Sequence, residues 1–380
     1  MNDHPQIHFN DGTEDRSARW RSESGAVPPK RVVVADDTMT ADSAYRLAAE
    51  GTALLWRSDF QNARQMLQAL MRRVDRPRKL KRREAAVAEI PGAAFHRHRQ
   101  AQAQRAHTLS MLLIPLEGDY GIPLRRAPDV RLACSEAWGE PEGEASVVSL
   151  RELLGLIGAH EWRKKGVDVP ALGAHIHPYY GVFAPIRSEY VKLVAQATLP
   201  AQTLAFDIGT GTGVLAALLA KRGVARVIAT ENDTRALACA RDNIKRLGLD
   251  AQVEVVETDL FPEGRAPLVV CNPPWIPSQP SAPIERAVYD AGSKMLRGFI
   301  AGLAAHLEPE GEGWLILSDI AEHLGLRTRE ELLALIDAAG LLVKSRSEAR
   351  PQHSKSQDTS DPLHAARAAE VTSLWRLVPR

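Results

Sequence analysis

After Pro170 the chain takes on an alternating texture that limits its fold more than any other feature does. Short apolar runs recur at 203–208, 225–231, 253–258, 268–271 and 314–318. Segments with helical spacing lie at 213–222, 234–247, 292–307 and 328–339. Strands alternating with helices predict a parallel sheet with helices on both faces. Two further runs, 341–345 and 371–378, have only the polar 347–369 stretch between them and suit an antiparallel hairpin at the sheet edge. The expected class is α/β, with its strands spread over 171–380.

A doubly wound sheet binds ligands beyond the carboxyl ends of its strands, where the strand order reverses. The first apolar run ends in Asp207-Ile208-Gly209-Thr210-Gly211-Thr212-Gly213. Gly209, Gly211 and Gly213 permit backbone angles closed to other residues and let a ligand approach the main chain. The helix that follows presents unpaired amides suited to a carboxylate. Asp207 is expected to face an amino group, and Glu231, at the end of the second run, to grip ribose hydroxyls. Asp259 follows the third run and is placed to accept from an adenine amino group, with Leu260 or Phe261 against the ring. A dinucleotide fingerprint requires glycine where this chain has Val214. The expected cofactor is therefore S-adenosylmethionine rather than a nicotinamide.

The run Val269-Val270-Cys271 stops abruptly in Asn272-Pro273-Pro274-Trp275. Pro273 and Pro274 remove two backbone donors and fix an extended bend, leaving carbonyls free to accept. An amide or aromatic amine is a poor nucleophile because its nitrogen lone pair is delocalised. With the Asn272 side-chain oxygen and the Pro273 carbonyl accepting its two protons, that nitrogen is held in line with a methyl donor. Orientation and fixed dipoles then replace a strong base. Trp275 is expected to stack on the flat substrate, a contact worth roughly 1–3 kcal/mol for a nucleobase.

Residues from about 170 to 345 resemble the class I N-methyltransferases that carry an (Asn/Asp/Ser)-Pro-Pro-aromatic motif. Among these they look most like the release-factor and ribosomal-protein glutamine methyltransferases, which have a methyltransferase small domain. The likeness also rests on the segment from His177 to Tyr190, on Asp259-Leu260-Phe261 and on Tyr289-Asp290-Ala291-Gly292. It implies a Rossmann-like seven-stranded methyltransferase sheet. It further implies that the segment before the first strand closes over the cofactor, with Arg187 and Glu189 near it and Phe183 and Pro185 lining the pocket. The glutamine enzymes usually carry Tyr where this chain has Trp275, and the region before 170 matches no substrate domain of that group. The motif serves enzymes acting on adenine or guanine amino groups as well. The expected substrate is a glutamine side chain of a translation protein, with an amino base of RNA or DNA as the alternative. A binding module that kept the fold without catalysis is the third reading.

Upstream, residues 1–40 are polar and read as a disordered tail. From 41 to 170 the pattern reads as a mainly helical substrate-recognition domain, with a helical hairpin over 41–74 in which Ser58-Asp59 caps the second helix. A short strand is expected at 110–116 and a helix at 148–165. Residues 71–107 hold 11 Lys or Arg against three acids. Arg72, Arg73, Arg76, Arg78, Lys79, Lys81, Arg82 and Arg83, followed by Phe95-His96-Arg97-His98-Arg99, suit contact with phosphate backbones. His175 and His177, with His160, have no partner at ligand spacing, so no metal is expected. Cys271 reads as an inert buried thiol.

Basic and acidic residues nearly cancel, 48 against 47, so bulk charge selects neither nucleic acid nor membrane. The three cysteines are too few and scattered for a disulfide framework. No apolar run reaches the ~18 residues of a membrane span, and Met1-Asn2-Asp3-His4 lacks the order of a secretion signal. A cytoplasmic protein is expected.

Overall fold

In a computed structural model of the chain, residues 4–76, 92–280, 283–351, 358 and 361–380 are described. The chain divides into two compact units, one drawn from 1–89 and 96–161, the other from 90–95 and 162–380.

The first unit contains β1 (Gln6–Asn10), β2 (Asp15–Arg21), β3 (Arg31–Ala35), α1 (Ala41–Ala49), β4 (Thr52–Trp56) and α2 (Phe60–Val74). These are followed by α3 (Ala93–Ser110), β5 (Leu112–Leu116), α4 (Arg131–Trp138), β6 (Ser146–Ser149) and α5 (Leu150–Lys165). Its six strands form one mixed sheet in the order β1-β2-β6-β5-β4-β3.

Two expectations are corrected here. Residues 1–40, expected to be disordered, supply three strands. In β1, buried Ile7 and Phe9 alternate with exposed Gln6, His8 and Asn10, so the period of two rests on only two apolar side chains. The turn into β2 is closed by side chains, with Asn10 Oδ1 accepting from Gly12 N at 2.8 Å and Asp11 Oδ1 from Thr13 N at 3.0 Å. Residues 41–170 form an α/β arrangement rather than a mainly helical one. The hairpin expected over 41–74 is helix, strand, helix: Gly51, at φ 79, ends α1, and every residue of β4 is buried. A short continuous apolar run fits a buried strand or a buried helix equally well. Asp59 does cap α2, accepting from Gln61 N at 2.8 Å.

The second unit opens with a small hairpin, β7 (Val167–Val169) and β8 (Ala174–Ile176), then α6 (Ser188–Gln196). Alternation follows: β9 (Leu204–Ile208), α7 (Val214–Lys221), β10 (Arg226–Glu231), α8 (Thr234–Arg246), β11 (Val253–Glu257), β12 (Ala266–Cys271), α9 (Lys294–His306) and β13 (Leu307–Ser318). It ends with α10 (Ile320–His323), α11 (Arg329–Ala338), β14 (Leu341–Ala349), α12 (His364–Ala369) and β15 (Thr372–Pro379). The seven strands form the expected α/β sheet, in the order β11-β10-β9-β12-β13-β15-β14. The first five are mutually parallel, while β15 runs antiparallel between β13 and β14. The terminal hairpin is thus present, with its second strand inside the sheet.

Consecutive residues of each central strand face opposite layers. Ala205, Val270 and Trp314 join α6 and α7 on one face, whereas Phe206, Val269 and Leu315 meet Phe299 and Leu303 of α9 and Ile336 of α11 on the other. Each buried Val, Leu, Ile or Phe among them contributes about 1.5–3 kcal/mol. Because both faces are covered, the central strands read as unbroken apolar runs.

Among these strands sits a buried carboxylate. Glu312 on β13 accepts from Lys344 Nζ of β14 at 2.7 Å, from Arg376 Nε and Nη2 of β15 at 2.7 Å each, and from Trp314 Nε1 at 2.9 Å. Burial alone would raise its pKa, but the hydrogen bonds from Arg376, Lys344 and Trp314 outweigh that and bring it to about 2. The stability it contributes is therefore present above the usual glutamate range and lost as pH falls toward 2. Glu312→Gln should destabilise the protein at pH 7 by about 1.5–3 kcal/mol, the scale of hydrogen bonds to a charged group. Urea unfolding should show that penalty shrinking in strongly acidic buffer; a penalty independent of pH would refute the account.

Candidate active site

Strand order reverses between β9 and β12, which are parallel neighbours with Asp207 opposite Val270 and Ile208 opposite Cys271. Gly209 and Asn272 are the next residues on the two strands. The glycine turn and the Asn-Pro-Pro-Trp loop therefore leave the sheet side by side at its carboxyl edge, where neighbouring strands lie about 4.8 Å apart.

Gly209, Gly211 and Gly213 adopt φ of 67, 58 and 81, all in the left-handed region that favours glycine. A Cβ on Gly209 would run into the terminal methyl of Met295, while one on Gly211 would meet nothing within 4 Å. Gly213 precedes α7 as its N-terminal cap residue.

The carboxylates around the turn hold it in shape. Asp207 is buried, and its Oδ2 accepts from Thr210 Oγ1 at 2.6 Å and Ala216 N at 3.0 Å. Expected to face an amino group, Asp207 instead directs this oxygen into the turn and the first turn of α7. Glu231, at the end of β10, accepts from Gly211 N at 3.0 Å through Oε2, and from Asn232 and Asp233 N at 3.0 and 3.1 Å through Oε1. Asp259 is exposed and accepts from Asn232 Nδ2 at 3.1 Å. Leu260, at φ 62, is bonded through its carbonyl to Thr230 Oγ1 at 2.6 Å. Phe261, an expected partner for an adenine ring, is partly buried and stacks on His306 with centroids 4.2 Å apart and on Phe299 at 5.8 Å.

On the reaction side, Asn272 Oδ1 accepts from Trp275 Nε1 at 3.0 Å. Pro273 is buried and Pro274 partly so. Ile276 pairs with Tyr289, and Asp290 Oδ2 accepts from Met295 N at 2.8 Å, so the Tyr289-Asp290 segment folds back along the loop and starts α9. Trp275 was expected to offer its ring to a substrate, yet the Arg187 guanidinium lies 5.5 Å from the ring centroid. Arg187, expected beside the cofactor, is tied to buried Glu370 by Nη1–Oε1 at 2.7 Å. Phe183 packs against the apolar cluster on the α7 face, and Pro185 is buried. Glu189 is half-buried with its carboxyl pKa raised by burial.

The reading of single residues did not identify Asn243 or Glu370. Asn243 on α8 accepts from His177 N at 2.8 Å and donates to the carbonyls of His177 at 3.2 Å and Thr212 at 3.1 Å. It thus locks the 175–180 segment onto the glycine turn. Its signal was available: Asn243 falls on the face of α8 shared by Ala236, Leu237, Cys239 and Ala240, and a buried amide there needs partners. Glu370, a single acid between Ala369 and Val371, carries no such signal.

The remaining candidates hold structural posts. His177 Nδ1 lies 2.6 Å from the Arg163 carbonyl, and His160 pairs with Glu136. Cys134, Cys239 and Cys271 are buried free thiols, and burial raises the Cys271 pKa well above its usual value. In the basic stretch, Arg73 pairs with Asp42 and Arg105 with Asp75, whereas Arg72 and Arg76 are exposed. Arg78, Lys79, Lys81, Arg82 and Arg83 lie outside the described residues. Among the described residues no helix is long and apolar enough to cross a membrane.

Burial raises the Asp207 carboxyl to about 6 despite the opposing bonds from Thr210 and Ala216. The folded state therefore holds this proton more tightly than the unfolded chain, a contribution complete below about pH 4 and lost as pH rises through 6. Asp207→Asn removes that titration, so its melting temperature should gain on the wild type between acidic and mildly alkaline buffer. An offset that stays constant with pH would contradict the assignment. Gly209→Ala should cost about 1–2 kcal/mol for the left-handed backbone, read by urea unfolding.

Residues 176–329 match the family model for the methyltransferase small domain. A release factor glutamine methyltransferase of Cereibacter sphaeroides is 32% identical over 41% of this chain and 58% of its own length. A ribosomal protein L11 methyltransferase of Pelotomaculum thermopropionicum is 31% identical over 42% of this chain and 44% of its own. A tRNA1(Val) (adenine(37)-N6)-methyltransferase of Bacteroides thetaiotaomicron is 29% identical over 37% and 62%. The chain spans roughly half the length of these relatives. Both the glycine turn and the Asn-Pro-Pro-Trp loop fall inside the matched stretch.

Proposed function

We propose that the chain is an S-adenosylmethionine-dependent N-methyltransferase acting on a glutamine side chain of a translation protein. The observation that carries the reading is the parallel register of β9 and β12, which sets Asn272 beside Gly209. The residues around the turn fit the cofactor. Gly211 leaves room for an approach to the main chain, α7 begins at the turn, and the Glu231 carboxylate stands at the end of the neighbouring strand. In this reading Gly209, Gly211, Gly213 and Glu231 hold the cofactor, with Asp259, Leu260, Phe183 and Pro185 around it and Asp207 shaping the turn. When bound, the sulfonium supplies an electrophilic methyl.

The loop of β12 positions the acceptor nitrogen. The Asn272 amide oxygen has two lone pairs, one already directed at the Trp275 indole, so the second remains to accept a substrate N–H. Pro273, without an amide hydrogen, supplies its carbonyl for the other N–H. Holding both N–H bonds aims the nitrogen lone pair across the sheet edge toward the turn. The acceleration comes from orientation and fixed dipoles.

Two of the relatives named above are a release factor glutamine methyltransferase and a ribosomal protein L11 methyltransferase, which favours a protein acceptor. The tRNA adenine enzyme supports an amino base as the second reading. Tritiated methyl transfer from S-adenosylmethionine into cell lysate, followed by protease or nuclease, distinguishes them: label released by protease supports the first reading, and label released by nuclease the second. Cofactor binding in calorimetry with no transfer to lysate would instead indicate a binding module. Asn272→Ala should retain cofactor binding and lose on the order of 100-fold in turnover, the scale for one oriented polar partner. Normal methylation by that variant would overturn its role. Glu231→Ala should weaken cofactor binding in the same calorimetric assay.

A further inference from the structure

The proposed chemistry needs the Asn272 amide in one orientation, and the molecule contains a chain of contacts that enforces it. The indole N–H of Trp275 is a donor only, so the atom of Asn272 that faces it at 3.0 Å must be the carbonyl oxygen. Turning the amide over would set two donors against each other. Trp275 itself is only partly buried, and it touches the clusters on both faces of the sheet. Its ring is covered by the Arg187 guanidinium at 5.5 Å, a cation over an aromatic face.

Arg187 is in turn fixed by a carboxylate with few other partners. Glu370, at 2% exposed, accepts from Arg187 Nη1 at 2.7 Å and from Ser318 Oγ at 2.7 Å. The second guanidinium nitrogen lies 3.5 Å from the other carboxylate oxygen. Ser318 Oγ also accepts from Ile320 N at 3.0 Å, which ties the end of β13 to the same point. A buried carboxylate is costly unless paired, and pairing with a planar, forked guanidinium restrains the orientation of both groups.

We propose that Glu370 and Arg187 are positioning residues that lock Trp275 and, through its indole N–H, set the amide of Asn272 for the reaction. This inference rests on the proposed methyltransferase reading. It also gives a physical meaning to tryptophan at position 275. Tyrosine carries its only side-chain donor at the far tip of the ring, whereas the indole has one on its edge, where it meets Asn272.

The test reads the lock apart from turnover. Isotope-labelled protein gives indole N–H signals from seven tryptophans, and Trp275→Phe identifies the one at 275. That signal should be protected from hydrogen exchange in the wild type. It should shift and lose protection in Asn272→Ala and in Glu370→Gln, with the other indole signals unmoved. Glu370→Gln should lower kcat about ten-fold, the loss of roughly one hydrogen bond's contribution, with S-adenosylmethionine affinity unchanged. An unmoved Trp275 signal in Asn272→Ala would rule out the bond. An unmoved signal and wild-type kcat in Glu370→Gln would rule out the lock. Absence of methyl transfer by the wild-type protein would overturn the catalytic reading, and the indole signals would still decide whether the contact chain exists.

Discussion

Two parallel strands held in register end at the same height, and everything at the candidate site follows from that constraint. The hydrogen bonds between β9 and β12 run in step up to Ile208 and Cys271, so whatever follows each residue must emerge at the same edge. After β9 comes a turn whose left-handed positions favour glycine, and after β12 comes a turn that proline imposes. The first opens the main chain to a ligand, while the second strips it of donors. Their adjacency is supplied by the sheet, through the reversal of strand order.

The fold of the second unit was readable because its central strands are covered on both sides. Val269, Val270 and Cys271 face alternate layers and all are fully buried, so no polar residue interrupts the run. In the first unit β4 hid because a short buried apolar run suits a helix as well as a strand, and β1 hid for the opposite reason. Strand β1 shows only Ile7 and Phe9 to a core, and the rest of the segment is polar surface. At the candidate site, the two turns were legible: their glycines and prolines are recognisable by residue type and spacing. Contacts made across long stretches of chain were not. Nothing near Glu370 announces that it meets Arg187, and nothing near Trp275 announces that a guanidinium covers its ring.

The carboxylates of the turn make a related point. Asp207 and Glu231 were read as groups that face outward to a ligand. In the structure the named oxygens of both accept from backbone or hydroxyl donors of the turn and its flanks. These bonds fix one conformation of a turn in which three glycines leave the backbone conformationally free. Both carboxylates therefore serve the geometry of the glycine turn.

Strand β15 has a consequence for the order of assembly. It lies between β13 and β14, so β14 has no place in the sheet until β15 has been laid down. Until then Glu312 also lacks the guanidinium of Arg376. Glu370, two residues ahead of β15, arrives with the same segment and brings the anchor for Arg187. Closing the sheet and anchoring the guanidinium that lies over Trp275 thus depend on the same segment of chain. A nascent chain halted before this segment would hold both turns at the edge shared by β9 and β12, and still lack the carboxylate that anchors the guanidinium over Trp275.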